Sequence, residues 1–257
     1  MKNDKSIFFK SLKPHNNIEF TLLELKPRFP QFSDFIDFET ERLNGLINFE
    51  KELCDFNNNI EFKNNSIAGV DEAGRGPLAG PVVACAVYFE NYNLIPFIND
   101  SKKMTHELRE FTAKIIRNKA KVGIGIVTAE EIDRINILQA TFKAMRLAVQ
   151  NLGIKPDFVL VDGNKKIPDL KIPQKAVTKG DLKSYSIACA SIIAKTVRDS
   201  MICECDKIYP QYGFAKHKGY GTKEHIEAIY KYGQLDGIHR KTFNIANYAP
   251  LDALLPV

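Results

Sequence analysis

Residues 67–89 read IAGVDEAGRGPLAGPVVACAVYF. Two apolar runs flank a turn that opens with adjacent acids, Asp71 and Glu72, and continues through Gly74, Arg75 and Gly76. Apolar runs bounded by Gly and Pro predict strands over 67–72 and 82–89, and their closeness predicts an antiparallel pair. Charges between two core strands need partners, which makes the turn a candidate site. A dinucleotide fingerprint is the formal rival, because Gly74, Gly76 and Ala79 fit G-x-G-x-x-G/A after a strand. That fingerprint opens a helix whose N-terminus meets a pyrophosphate. Here Pro77 and Gly80-Pro81 interrupt, the next run is strand-like, and two carboxylates would repel a phosphate unless a cation intervened.

Outward from the turn, further strands are predicted over 122–127, 158–162 and, more weakly, 175–178. A single helix is predicted over 129–152, since Ile132, Ile135, Leu138, Phe142, Met145, Val149 and Leu152 recur at helical spacing. Thr128 and Glu131 form its expected capping box and Gly153 its stop. Helices are also expected over 183–206 and from a Thr222 cap to Gly233. This pattern predicts an α/β domain with a mixed central sheet flanked by helices. Residues 1–64 lack strand signals and read as a partly helical N-terminal extension, with a helix near Glu39–Phe56 and an asparagine-rich exit. The expected division is therefore 1–64, a main domain at 65–250 and a tail at 251–257. Phe29, Phe32, Phe35, Ile36 and Phe38 are the expected packing anchors of the extension.

The composition of the 257 residues, 44% apolar and 26% charged, is that of a folded soluble protein. The longest apolar run, Val82–Phe89, is too short to span a bilayer, and the first residues carry no signal-peptide pattern, so no membrane association is expected. Cys54, Cys85, Cys189, Cys203 and Cys205 form no C-x-x-C pair and read as reduced thiols of a cytoplasmic protein. Residues 1–64 carry 9 Lys and Arg against 11 Asp and Glu, a balance of −2, and the remainder carries +7. A basic main body suits an anionic partner such as nucleic acid.

Two more acids stand at informative places, Asp162 in FVLVDGN and Asp181 in TKGDLKS. Carboxylates gathered at strand ends are the ligand type that Mg²⁺ or Mn²⁺ takes, with waters and phosphates filling the remaining positions. Neighbouring residues of a strand point to opposite faces, so if Asp71 and Glu72 serve one site, either the chain leaves regular geometry there, as the nearby glycines favour, or a backbone carbonyl helps.

The stretch AGVDEAGRGPLAGPVVACAV resembles the signature of bacterial ribonuclease HII. NDSKKM, VLVDGN, KGDLKSYSIACASIIAKTVRD, YPQYGFAKHKGYGTKEH and GIHRKTF follow in that family's order across residues 66–245. The resemblance implies a ribonuclease H-like fold and an endonuclease that cuts the RNA strand of RNA–DNA hybrids and duplex DNA containing single ribonucleotides. It implies metal-binding acids at Asp71, Glu72 and Asp162, a fourth active-site acid at Asp181, and two Mn²⁺ or Mg²⁺ ions in the substrate complex. It further implies substrate contacts at Gly74, Arg75 and Gly76, a sugar-sensing Tyr220, action as a monomer, and 5′-phosphate and 3′-hydroxyl products. Alternatives are the sister ribonuclease HIII type, which usually has a larger N-terminal substrate-binding domain, and a non-catalytic hybrid-binding protein.

Lys102 and Lys103 resemble the family's phosphate-contacting segment. Lys195 joins the expected substrate contacts; Asp199 can pair with it at i, i+4 on the surface, and a structural role is the favoured expectation for Asp199. His217, His225 and His239 stand at spacings of eight and fourteen, which fit no usual zinc pattern. His217 and Lys218 are expected to help hold substrate near Tyr220.

Overall fold

The computed structural model describes residues 2–12, 20–55 and 66–245; the asparagine-rich exit and the 251–257 tail lie outside them. In chain order the elements are α1 (Lys2–Leu12), α2 (Leu22–Leu25), α3 (Ser33–Asp55), β1 (Ile67–Ala73), β2 (Val82–Tyr88), α4 (His106–Lys119), β3 (Lys121–Val127) and α5 (Ala129–Ile135). They continue with α6 (Ile137–Gln150), β4 (Phe158–Asp162), β5 (Gln174–Val177), α7 (Tyr185–Ile208), α8 (Phe214–His217) and α9 (Lys223–Tyr232). The sheet runs β3-β2-β1-β4-β5. β1 pairs antiparallel with β2, and β2 with β3, while β1 pairs parallel with β4, and β4 with β5. Every predicted strand is present, and the sheet is mixed as expected.

Helix α6 covers one face of the sheet and α7 the other. Along β1 the faces alternate: Ala68 and Val70 join the α6-side core, while Ile67 packs with Ile187 of α7. The approach of α7 is close, since a Cβ on Gly69 would sit 2.3 Å from the Ile187 amide nitrogen. On the other face, a Cβ on Gly125 would sit 1.9 Å from the Ala144 carbonyl oxygen. Side-chain-free positions in the strands therefore let both helices lie almost on the sheet backbone.

The single helix expected over 129–152 is two helices. Asn136 adopts φ 66°, and its side-chain oxygen accepts the Leu138 and Gln139 amides at 3.0 and 3.1 Å. Asn is the residue best able to combine positive φ with N-capping, so the chain turns there and restarts as α6. Only half the expected capping box forms at Thr128, which accepts the Glu131 amide at 3.3 Å. The Glu131 carboxylate turns instead to Arg134 and Lys143.

The N-terminal helices share a core with the rest of the chain. Phe8, Leu12, Leu22, Leu25, Ile36 and Leu43 are buried together with Phe97, Ile192 and Ile193. Phe8 is the hub, its ring 5.8, 5.0, 5.4 and 5.6 Å from those of Phe29, Phe32, Phe35 and Phe97. Phe38 is not an anchor: it is 45% exposed, because the amphipathic turn of α3 puts Phe35 and Ile36 inward and Phe38 outward. Glu50 of α3 is fully buried at the start of α7. It accepts bonds from Ser184 Oγ at 2.5 Å, Ser186 N at 2.6 Å, Ser186 Oγ at 2.7 Å and Tyr92 Oη at 2.6 Å. Among the described residues, no helix is long and apolar enough to cross a membrane.

Candidate active site

A cleft of about 510 Å³ opens where β1 and β4 end, lined by Asp71, Glu72, Asp162 and Asp181. The expected break in strand geometry at the first two acids is absent. β1 stays in register with β2 through Asp71, Glu72 and Ala73, while its pairing with β4 stops at Val70. The cleft straddles this opened sheet edge, so side chains from opposite faces of β1 reach it without leaving the strand. On the α7 side, Asp71 is 6% exposed and accepts its neighbour's amide, that of Glu72, at 2.7 Å, and Ser191 of α7 lines the same cleft. Glu72 meets Arg75 at 3.4 Å. Asp162 Oδ1 accepts the Gly180 amide at 2.6 Å.

The electrostatics is that of crowded carboxylates. Burial, and then the charges of Glu72 and Asp162, push the Asp71 carboxyl well above the usual range. Burial also raises Glu72, with Arg75 opposing. Asp181 is raised by burial and then by Asp162 and Asp100. Like charges held this close are relieved by a cation. Among the described residues no three acidic, His or Cys side chains close into a ready metal cage. An open set of hard oxygen donors fits ions that keep waters and take phosphate oxygens as ligands.

The cleft's second wall is the turn after β1. Gly74 has φ +98°, and a Cβ there would lie 2.3 Å from Arg198 Nε, so only glycine fits. The fully buried Arg240 gathers the turn's carbonyls, donating to Gly74 at 2.6 Å, Arg75 at 3.1 Å and Gly80 at 2.9 Å. Arg198 donates to the Ala79 carbonyl at 3.1 Å. Gly76, Arg75, Lys102, Lys195 and Tyr220 complete the rim. Lys195 is held by Asp199 at 2.7 Å, but Asp199 is no surface partner: it is buried and also receives Arg109 at 3.0 Å.

Three expected substrate contacts lie outside the cleft. Lys103 points to solvent beside Asp100, at 3.7 Å. Lys218 turns back onto Ala215 O at 2.7 Å and Cys203 Sγ at 2.9 Å, because its φ of +52° reverses the chain there. Both ring nitrogens of His217 are engaged by backbone, Tyr212 O at 2.8 Å and Gly219 N at 3.2 Å, so its ring supports the loop under Tyr220. Sequence reasoning missed Ser191, Ser101 and Arg240. Arg240 had a signal in GIHRKTF, a charged residue in an otherwise unassigned motif.

The mixed sheet, with acids at the ends of its two central parallel strands, defines a nuclease of the ribonuclease H-like class. The family model described as ribonuclease HII matches residues 68–246. The curated ribonuclease HII of Acetivibrio thermocellus is 50% identical over 222 residues, 83% of this chain and 86% of that one. That of Fusobacterium nucleatum is 53% identical over 189 residues, 72% and 87% of the two chains. The chain belongs to the ribonuclease HII family, endonucleases with ribonuclease H activity on RNA–DNA hybrids. Among solved structures, ribonuclease H2 of Pyrococcus horikoshii aligns with TM-score 0.60 and 28% identity, covering 71% of this chain and 95% of that one. Bst-RNase HIII in complex with Mn²⁺ shares the fold, with TM-score 0.58 at 18% identity over 73% and 70% of the chains.

Proposed function

We propose that Asp71, Glu72 and Asp162, with Asp181 as the fourth acid, form a Mg²⁺- or Mn²⁺-dependent centre that cuts the RNA strand of hybrids. The same centre cuts 5′ to single ribonucleotides in duplex DNA. The observation that carries this reading is the convergence of four carboxylates from three chain segments on one cleft rimmed by Arg75, Lys102 and Lys195. A pair of divalent ions bound there would supply an activated water and stabilise the leaving 3′-oxygen. Asp71, Glu72 and Asp162 are the residues that would hold them. Lys102, Lys195 and Arg75 steady the phosphate backbone. The side-chain-free Gly76 leaves a slot beside Tyr220, whose Cε1 lies 3.7 Å from where a Cβ of Gly76 would be. That slot suits a sugar whose 2′-hydroxyl is read by the turn's amides, the group that tells RNA from DNA. The four acids belong to one chain, so a monomer carries the complete acid set.

The test is cleavage of a long hybrid and of a duplex with one embedded ribonucleotide, with end-group analysis. Products with 5′-phosphate and 3′-hydroxyl ends, lost in Asp71→Asn, are expected. Cyclic phosphate ends, or undiminished cutting by the variant, would overturn the reading.

A further inference from the structure

Behind Tyr220 lies a group of imidazoles with no place in the acid cleft. His225 is fully buried and His239 is 2% exposed. Their ring nitrogens are 3.1 Å apart, Nε2 to Nε2. The Leu235 amide donates to His239 Nδ1 at 2.8 Å. That nitrogen is therefore unprotonated, and a neutral His239 carries its proton on Nε2 and donates to His225 Nε2. His225 must then be protonated on Nδ1, which donates to the Tyr220 carbonyl at 2.9 Å. His217 stacks on His225 with centroids 4.4 Å apart, its own tautomer fixed by the Gly219 amide.

Both ends of this chain of bonds are tied to the cleft. At one end, the segment around His239 pairs with the segment after the glycine–arginine–glycine turn: Gly80 N donates to Ile238 O and Arg240 N to Leu78 O, each at 2.8 Å. Arg240, next in sequence to His239, holds the turn's carbonyls. At the other end is Tyr220, on the opposite rim. Burial lowers both His225 and His239 to about 4, and the neighbouring rings add to this, so the chain stays neutral. A protonated His239 would set an N–H against the Leu235 N–H.

We infer that His225 and His239 are positioning residues, whose neutral hydrogen-bond chain fixes Tyr220 at a set distance from the glycine–arginine–glycine turn. The inference rests on the reading of Tyr220 as a substrate contact. A phenyl ring would fill the same space but break the chain. Asn at 225 would keep a donor for the Tyr220 carbonyl.

Two measurements test it. In full-length protein labelled with ¹⁵N-histidine, long-range proton–nitrogen correlation should find His225 as the Nδ1–H tautomer and His239 as Nε2–H. An Nε2–H His225 overturns the chain. In kinetics on a duplex with one ribonucleotide, His225→Phe should lower kcat/KM about tenfold, with partial rescue in His225→Asn. In a Tyr220→Ala background the same change should cost less than about twofold, because nothing remains to be positioned. Equal losses in both backgrounds would overturn the positioning role. If Tyr220→Ala itself cuts normally, the reading of Tyr220 fails instead, and the tautomer measurement, made on wild-type protein, still decides whether the chain exists.

Discussion

The Asp162 carboxylate accepts the Gly180 amide at 2.6 Å, so the acid that ends β4 also pins the loop presenting Asp181. Asn at this position keeps an acceptor for that amide, so Asp162→Asn removes the charge and leaves the loop pinned. Asp162→Asn should reduce cleavage on the order of 10²-fold or more, at least the loss seen when a metal ligand's support is removed. Asp71→Asn should match it in activity while raising stability by about 1 kcal/mol without added metal, because a crowded buried carboxyl becomes neutral. Cleavage rates and chelator-treated thermal melts check both. Near-normal cutting by either variant would remove the acids from the mechanism.

Tyr220→Ala should impair cutting at a lone ribonucleotide by about tenfold and long hybrids less, since a long hybrid offers many registers in which backbone contacts suffice. The ratio of the two rates in variant and wild type is the measurement, and an unchanged ratio would refute the sensing role.

Glu50 provides a pH test away from the cleft. Burial raises its carboxyl, outweighing four hydrogen bonds that act the other way. A carboxyl raised by folding contributes stability while protonated. That contribution is full below its unfolded value, about 4.3, and is lost as pH rises through the folded value. Urea unfolding from about pH 4 to 7 should therefore show wild type losing ground to Glu50→Gln as pH rises. Glu50→Ala should cost on the order of 3 kcal/mol, because the donors around Ser184, Ser186 and Tyr92 are left unmet. A pH-independent difference between wild type and Glu50→Gln would contradict the assignment.

Deleting residues 1–60 should lower stability far more than hybrid affinity. The segment's balance of −2 offers no phosphate grip, whereas Phe8, Leu12, Ile36 and Leu43 belong to the shared core. Each phosphate contact contributes close to one unit to the log–log salt slope. A truncated protein that stays folded with a slope shallower by about two or more would favour a substrate-binding role.

The sheet was readable from the sequence because strand signals are local: β4 occupies 158–162 as predicted, β1 runs one residue further, and β5 is shifted by one residue. Asp71, Glu72 and Asp162 stood out for the same reason, as charges closing apolar runs. Features set by distant partners were not. The break at Asn136 leaves the apolar spacing intact and shows only as a positive φ. A structural role for Asp199 was legible, but its burial and its partner Arg109, which arrives from α4, were not. His225 and His239 become a pair only when α9 folds against the segment after it. Long-range pairing leaves no periodicity to read.

The shared core has a consequence for how the chain is made. Residues 2–55 leave the ribosome well before α7, yet Phe8, Leu12 and Ile36 belong to one core with Ile192 and Ile193 of that helix. Between 156 and 185 positions separate them in the sequence, about 8 to 37 s of synthesis at ordinary elongation rates. Throughout that interval a phenylalanine-rich surface has no complete partner. Newly made chains should therefore depend on chaperone cover at a stage the finished enzyme never revisits, and slowing elongation between α3 and α7 should lower yield without altering the activity of molecules that mature.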